Sequence, residues 1–128
     1  MTIELKSKTI VVVDDEPDIC EALELALGLE GYRVAAVTNR DAALRLVTDA
    51  DPALIFLDYR MPGLDPHQFV GELKKLESSA CIILMTAGKD PSERARELGL
   101  KYYLSKPFEL DAMLDLVRKC TSLEEEEH

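Results

Sequence analysis

Polar and apolar positions divide the chain into two kinds of segment that take turns. The first kind is a short apolar run: Thr9-Ile10-Val11-Val12-Val13, Ala53-Leu54-Ile55-Phe56-Leu57 and Cys81-Ile82-Ile83-Leu84-Met85. Aliphatic, β-branched runs without alternation predict strands buried on both faces. Arg33 to Val37 and Lys101 to Leu104 read as two further strands. The second kind has helical period. Ile19, Leu23, Ala26 and Leu27 share a face behind Pro17, which suits a first helical turn, and Gly31 supplies the stop. Ala43, Leu44 and Val47 line a second helix, with Thr38 and Asp41 resembling its capping box. Phe69, Leu73 and Leu76 form a third stripe behind Asp65, Pro66 and Gln68, read as cap, first-turn proline and box partner. Asp90-Pro91-Ser92-Glu93 is a further capping signature. It opens a short fourth helix that ends by Gly99 and shows mainly Ala95 and Leu98 as apolar. Leu110, Met113, Leu114 and Val117 mark a last helix reaching Cys120.

Strand and helix thus alternate five times. Unalternating strands, each followed by a helix, imply a parallel sheet covered on both faces, an open doubly wound α/β sandwich. Ligands of such folds sit beyond the carboxyl ends of the strands. The residues predicted there are Asp14-Asp15-Glu16 after the first strand, Asp58 after the third, Thr86-Ala87 after the fourth and Ser105-Lys106-Pro107 after the fifth. Taken singly, an Asp after a strand serves equally well as a helix cap, and a lone Thr or Lys is usually structural or solvated. Taken together they are a constellation. Clustered carboxylates repel and raise one another's proton affinity. A hard divalent cation relieves that repulsion, and oxygen ligands favour Mg2+ over softer metals. A neighbouring Lys and Thr suit the oxygens of a phosphoryl group.

Composition narrows the field. The 128 residues suit one domain, and 47% apolar content supports a real core. Fifteen basic against 25 acidic residues give a formal charge of −10, which argues against gripping nucleic acid or an anionic membrane. Much of the excess is the terminal run Glu124 to Glu127 plus Asp14, Asp15 and Asp58. Apolar runs are too short to span a membrane, and Met1 to Lys8 has no signal-peptide stretch. A cytoplasmic protein is expected. Cys20, Cys81 and Cys120 lie in apolar patterns with no metal-ligand spacing, so buried reduced thiols are expected.

Four motifs in order carry a resemblance: Val13-Asp14-Asp15-Glu16, Leu57-Asp58-Tyr59-Arg60-Met61-Pro62-Gly63, Met85-Thr86-Ala87 and Tyr103-Leu104-Ser105-Lys106-Pro107-Phe108. From about Lys8 to Cys120 the chain resembles the response-regulator receiver domains of two-component signalling, the CheY-like superfamily. The resemblance implies a flavodoxin-like five-stranded sheet in the order 2-1-3-4-5. It implies that Asp58 is the phosphoacceptor, taking a phosphoryl group from a phosphohistidine on a sensor histidine kinase or phosphotransfer protein. Asp15, Asp58 and the Arg60 backbone carbonyl would ligate Mg2+ (or Mn2+), with Asp14 acting through water. Lys106 and Thr86 would hold the phosphoryl oxygens, and Tyr103 would be the switch aromatic that turns inward when Thr86 moves. The Lys106-Pro107 bond is cis in the family. The output would be a repacked face of fourth helix, fifth strand and fifth helix, read by an effector, a fused output domain or a second copy of the chain. Residues 1–121 would be the receiver domain. Residues 122–128 would be an acidic tail, a linker start or the remnant of a tag.

Some positions depart from the family pattern. Pro66 stands where glycine is common, and the stretch from Thr86 to Lys106 is short, which predicts a loosely held fourth helix. Arg60 and Gly88 border the phosphoryl site, and Arg60 reads as solvated. His67 reads as a surface residue without metal partners. Tyr102 either packs on the surface or extends a partner face. Two other classes compete. A Mg2+-dependent phosphohydrolase would carry its aspartyl nucleophile in a DxDxT-like pattern after the first strand, which Asp14-Asp15-Glu16-Pro17 does not match. A flavodoxin-like cofactor binder would need a phosphate loop where this chain has acids.

Overall fold

A computed structural model describes residues 8–126. The elements run β1 (Thr9–Val13), α1 (Pro17–Leu29), β2 (Arg33–Val37), α2 (Arg40–Ala50), β3 (Leu54–Asp58), α3 (Pro66–Lys75), β4 (Cys81–Thr86), α4 (Pro91–Glu97), β5 (Tyr102–Ser105) and α5 (Leu110–Glu126). All strand pairs are parallel, in the order β2-β1-β3-β4-β5, as predicted. The expectations about Met1 to Ser7 and the last two residues, including the absent signal peptide and the tag remnant, lie outside the described residues. Among the described residues no helix is long and apolar enough to cross a membrane.

The alternation of strand side chains divides the interior into two layers. Val11, Val13, Ile55, Leu57 and Leu84 pack with residues of α2, α3 and α4, among them Val47, Phe69, Leu73 and Ala95. Ile10, Val12, Leu54, Phe56, Ile83 and Met85 pack with Leu23 and Leu27 of α1 and Met113 and Val117 of α5. The central strands therefore need apolar residues at every position, which explains their unbroken runs. Continuing the alternation puts Asp58 on the α1–α5 side of the sheet and Thr86 on the α2–α4 side. The strand register sets their height: Asp58 lies opposite Met85, and Thr86 opposite Ser105.

Local chemistry explains where the elements begin and end, and corrects three expectations. Asn39, not Thr38, caps α2: its backbone is extended and its Oδ1 accepts the Ala42 N–H at 2.8 Å. Asp65 caps α3 as predicted, accepting from the backbone N–H groups of His67 (2.9 Å) and Gln68 (3.5 Å). Asp90 precedes α4 but makes no cap bond, because its backbone is left-handed (φ 57°) and side-chain capping works from an extended N-cap. Gly31 (φ 94°) ends α1 in the left-handed conformation that favours glycine. Helix α5 runs on past Cys120 to Glu126, continuous across the 121/122 boundary. Arg40 at the start of α2 donates to Glu72 of α3 through Nε (3.0 Å), tying two helices of one layer together.

The cysteines depart from the expectation of three reduced thiols. Cys81 at the start of β4 and Cys120 in α5 form a disulfide, with Cα atoms 6.1 Å apart; Cys20 is free. Both bonded residues belong to the α1–α5 layer. They stand 39 positions apart along the chain, so only the packing of α5 under β4 brings them together.

Candidate functional site

The strand-end residues converge as the topology requires. A cleft of about 400 Å3 is lined by Asp15, Glu16, Asp58, Arg60, Thr86, Ala87, Gly88 and Lys106. Asp14 lies beneath it, fully buried. Its backbone N–H bonds Val37 O (3.2 Å), so the β1–β2 ladder extends one residue and fixes the carboxylate. Asp14 Oδ1 accepts the Glu16 N–H (2.9 Å), and Oδ2 accepts from Lys106 Nζ (2.8 Å).

Lys106 is the hub. Its side chain is 8% exposed, and its ammonium also meets Glu16 Oε1 at 2.5 Å and Asp58 Oδ1 at 3.3 Å. The backbone holds it in place: Lys106 N–H donates to Thr86 O (2.9 Å), and the Lys106-Pro107 bond is cis. Burial alone would lower the Lys106 pKa, but its bonds to Asp14 and Glu16 and the Asp58 and Asp14 charges outweigh that and raise it. The ammonium therefore stays charged throughout the physiological range. Asp58 shows the opposite problem for an acid. Burial, then repulsion by Asp14, push its carboxyl above the ordinary value; Lys106 and the Arg60 N–H (3.4 Å) offset this in part.

Thr86 is buried, and its Oγ1 accepts the Gly88 N–H at 3.1 Å, so the hydroxyl is positioned by the loop that follows β4. Tyr103 is 40% exposed and faces outward. Arg60 and His67 are exposed. Helix α4 is short but keeps Ala95 and Leu98 buried, and its Arg94 lies over the Tyr59 ring, 5.6 Å from the centroid, next to Asp58.

Carboxylate oxygens of Asp14, Glu16 and Asp58 lie within 4.8 Å of one another. Three hard, anionic oxygen donors around one ammonium leave a local excess of negative charge, which fits a small divalent cation such as Mg2+. Asp15 lines the same cleft without joining that group. Glu16 is the residue to which sequence reasoning gave no role. A signal was present: Glu16 occupies the N-cap of α1, where Ser, Thr, Asp or Asn is normal, and its side chain makes no cap bond. It reaches Lys106 instead.

Comparison with known proteins agrees with this geometry. Residues 10–118 match the family model of the response regulator receiver domain. The chain is 32% identical over 117 residues to sporulation initiation phosphotransferase F of Bacillus subtilis, covering 90% of this chain and 94% of that protein. It is 40% identical over 116 residues to the probable transcriptional regulator ycf27 of Cyanophora paradoxa, covering 87% of this chain but 48% of that protein. The chain thus spans most of the first relative and about half of the second. A crystal structure of a response regulator signal receiver domain from Bermanella marisrubri superposes with a TM-score of 0.81 at 30% identity, covering 91% of this chain and 99% of that one.

Proposed function

The chain belongs to the response regulator receiver domains of two-component systems, and from that premise we propose that Asp58 is its phosphoacceptor. The donor is a phosphohistidine on a sensor histidine kinase or a phosphotransfer protein. An Asp58 carboxylate oxygen attacks phosphorus, the P–N bond breaks, and the imidazole leaves. The product is an acyl phosphate on Asp58. Lys106 meets the charge of the incoming group, which its standing as a permanent cation 3.3 Å from Asp58 Oδ1 supports. The Thr86 hydroxyl, buried at the end of β4, serves as the second contact to the phosphoryl oxygens. The Asp15 and Asp58 carboxylates and the Arg60 backbone carbonyl would hold Mg2+ (or Mn2+), with Asp14 acting through water, and the ion would supply charge neutralisation on the phosphoryl oxygens.

Phosphorylation adds charge that Lys106 and Thr86 answer. Their shift alters the backbone that joins β4 to β5, since Lys106 N–H is bonded to Thr86 O. Outward-facing Tyr103 on β5 then moves inward, changing the surface of α4, β5 and α5 that an effector, a fused output domain or a second copy reads. We assign residues 1–121 to this domain and residues 122–128, into which α5 continues as far as Glu126, to an acidic tail, a linker start or a tag remnant; the setting is the cytoplasm.

The observation that carries this reading is the convergence of Lys106 on Asp58 in a cleft shared with Thr86. The test is intact-mass spectrometry after incubation with Mg2+ and acetyl phosphate. One phosphate adduct is expected, absent in Asp58→Asn and without Mg2+. No adduct from acetyl phosphate or from a panel of sensor kinases overturns the reading.

A further inference from the structure

We propose that Glu16 is a positioning residue that holds the place of the phosphoryl group: its carboxylate occupies the Lys106 ammonium until phosphoryl oxygens displace it. This rests on the reading of Asp58 as phosphoacceptor.

An ammonium has three N–H donors and no more. Three carboxylates already stand around Lys106 Nζ: Glu16 at 2.5 Å, Asp14 at 2.8 Å and Asp58 at 3.3 Å. Two donors are taken by Asp14 and Glu16 and the third faces Asp58 as an ion pair, so a phosphoryl group on Asp58 gains a second donor only when Asp14 or Glu16 gives one up. Asp14 cannot readily leave. It is fully buried, and its other oxygen is fixed by the Glu16 N–H. Asp58 is the atom source for the new bond and stays. Glu16 differs from both, because its side chain is 57% exposed at the mouth of the cleft. Rotating it into water leaves no buried charge behind. An ion pair with one partner more than half in water is weakened by solvent screening, so a dianionic phosphoryl group competes with it successfully. Together with Asp14, Glu16 gives the 8% exposed Lys106 ammonium anionic partners before any phosphoryl group arrives. Glu16 thereby sets a small resistance to phosphorylation without touching the reacting atoms.

The competing role for Glu16 is metal ligation, since its carboxylate lies within 4.8 Å of those of Asp14 and Asp58. The two roles predict opposite results. In Glu16→Gln, the initial rate of Asp58 phosphorylation by acetyl phosphate should rise about two- to fivefold, the scale of one solvent-screened ion pair. The difference from wild type should shrink as salt screens the pair. In the metal-free protein, the Lys106 Nζ resonance should shift on the same substitution. Mg2+ affinity by titration calorimetry should stay within about twofold of wild type, and Glu16→Ala should behave as Glu16→Gln does. An unchanged or slower rate, or an unmoved Lys106 resonance, overturns the proposal. A tenfold or greater loss of Mg2+ affinity also overturns it, in favour of ligation. These failures leave wild-type phosphorylation intact, whereas a wild type that takes up no phosphate overturns the phosphoacceptor reading and this proposal with it.

Discussion

Lys106→Met and Asp58→Asn should change stability in opposite directions, although each removes one charge from the same cluster. Methionine keeps the length of the Lys106 stem and deletes the ammonium. Asp14, fully buried, and Asp58, 6% exposed, are then left facing each other without a cation. The gross Coulomb attraction at 2.8 Å is about 6 kcal/mol at an effective dielectric of about 20. Releasing the lysine from its own desolvation returns part of that. Breaking one partner out of a buried pair leaves a net loss of about 3–5 kcal/mol. Glu16 adds little, being more than half exposed. For Asp58→Asn the sign reverses. Burial and Asp14 hold the Asp58 carboxyl above its ordinary value, so its ionised form costs the native state free energy at neutral pH. The stability contributed by Asp58 is full below the ordinary carboxyl value and is lost as pH rises through the raised one. Asparagine abolishes that loss. Urea unfolding followed by circular dichroism, in EDTA, should therefore rank Asp58→Asn above wild type and Lys106→Met below it at neutral pH. The gap between Asp58→Asn and wild type should close as pH falls through the Asp58 transition. A loss under about 1 kcal/mol for Lys106→Met, or an Asp58→Asn protein less stable than wild type at neutral pH, would refute the electrostatic account.

Three further outcomes are expected. Reducing the Cys81–Cys120 bond, or replacing either residue with serine, opens a loop spanning 39 residues; the chain-entropy model puts the loss near 4 kcal/mol, and equal urea midpoints for oxidised and reduced protein would contradict covalent pairing. Asn39→Ala should cost about 1 kcal/mol by removing the α2 cap, while Thr38→Ala should cost less than about 0.5 kcal/mol; thermal melts that rank them the other way would reject Asn39 as the cap. Mg2+ at a hundredfold excess over its dissociation constant should stabilise the protein by about 2.7 kcal/mol, and Asp58→Asn should remove most of that gain; a thermal shift that survives the substitution would place the ion elsewhere.

The fold was legible because the central strands carry apolar residues at every position. Ile10 to Val13 and Leu54 to Leu57 feed two layers, and only a parallel sheet covered on both faces needs that. Strand ends were equally legible, so Asp14, Asp58, Thr86 and Lys106 could be expected at one edge from topology alone. What escaped depends on contacts between distant segments or on backbone angles. Cys81 and Cys120 meet only because α5 packs beneath β4. Asp90 has cap-like composition, yet its left-handed backbone prevents the bond. Glu16 reads as an unremarkable acid after two others until Lys106, 90 residues away, arrives beside it.

Every group lining the cleft stands on a strand terminus or the loop that adjoins it, and the outward faces of the five helices supply none of them. Leu25 and Leu29 on α1 and Leu110 on α5, each substantially exposed, lie on those faces instead. The cleft lining and these exposed apolar side chains therefore share no residue. Substitutions on the helix exteriors change the surface that another molecule meets and leave every group lining the cleft in place.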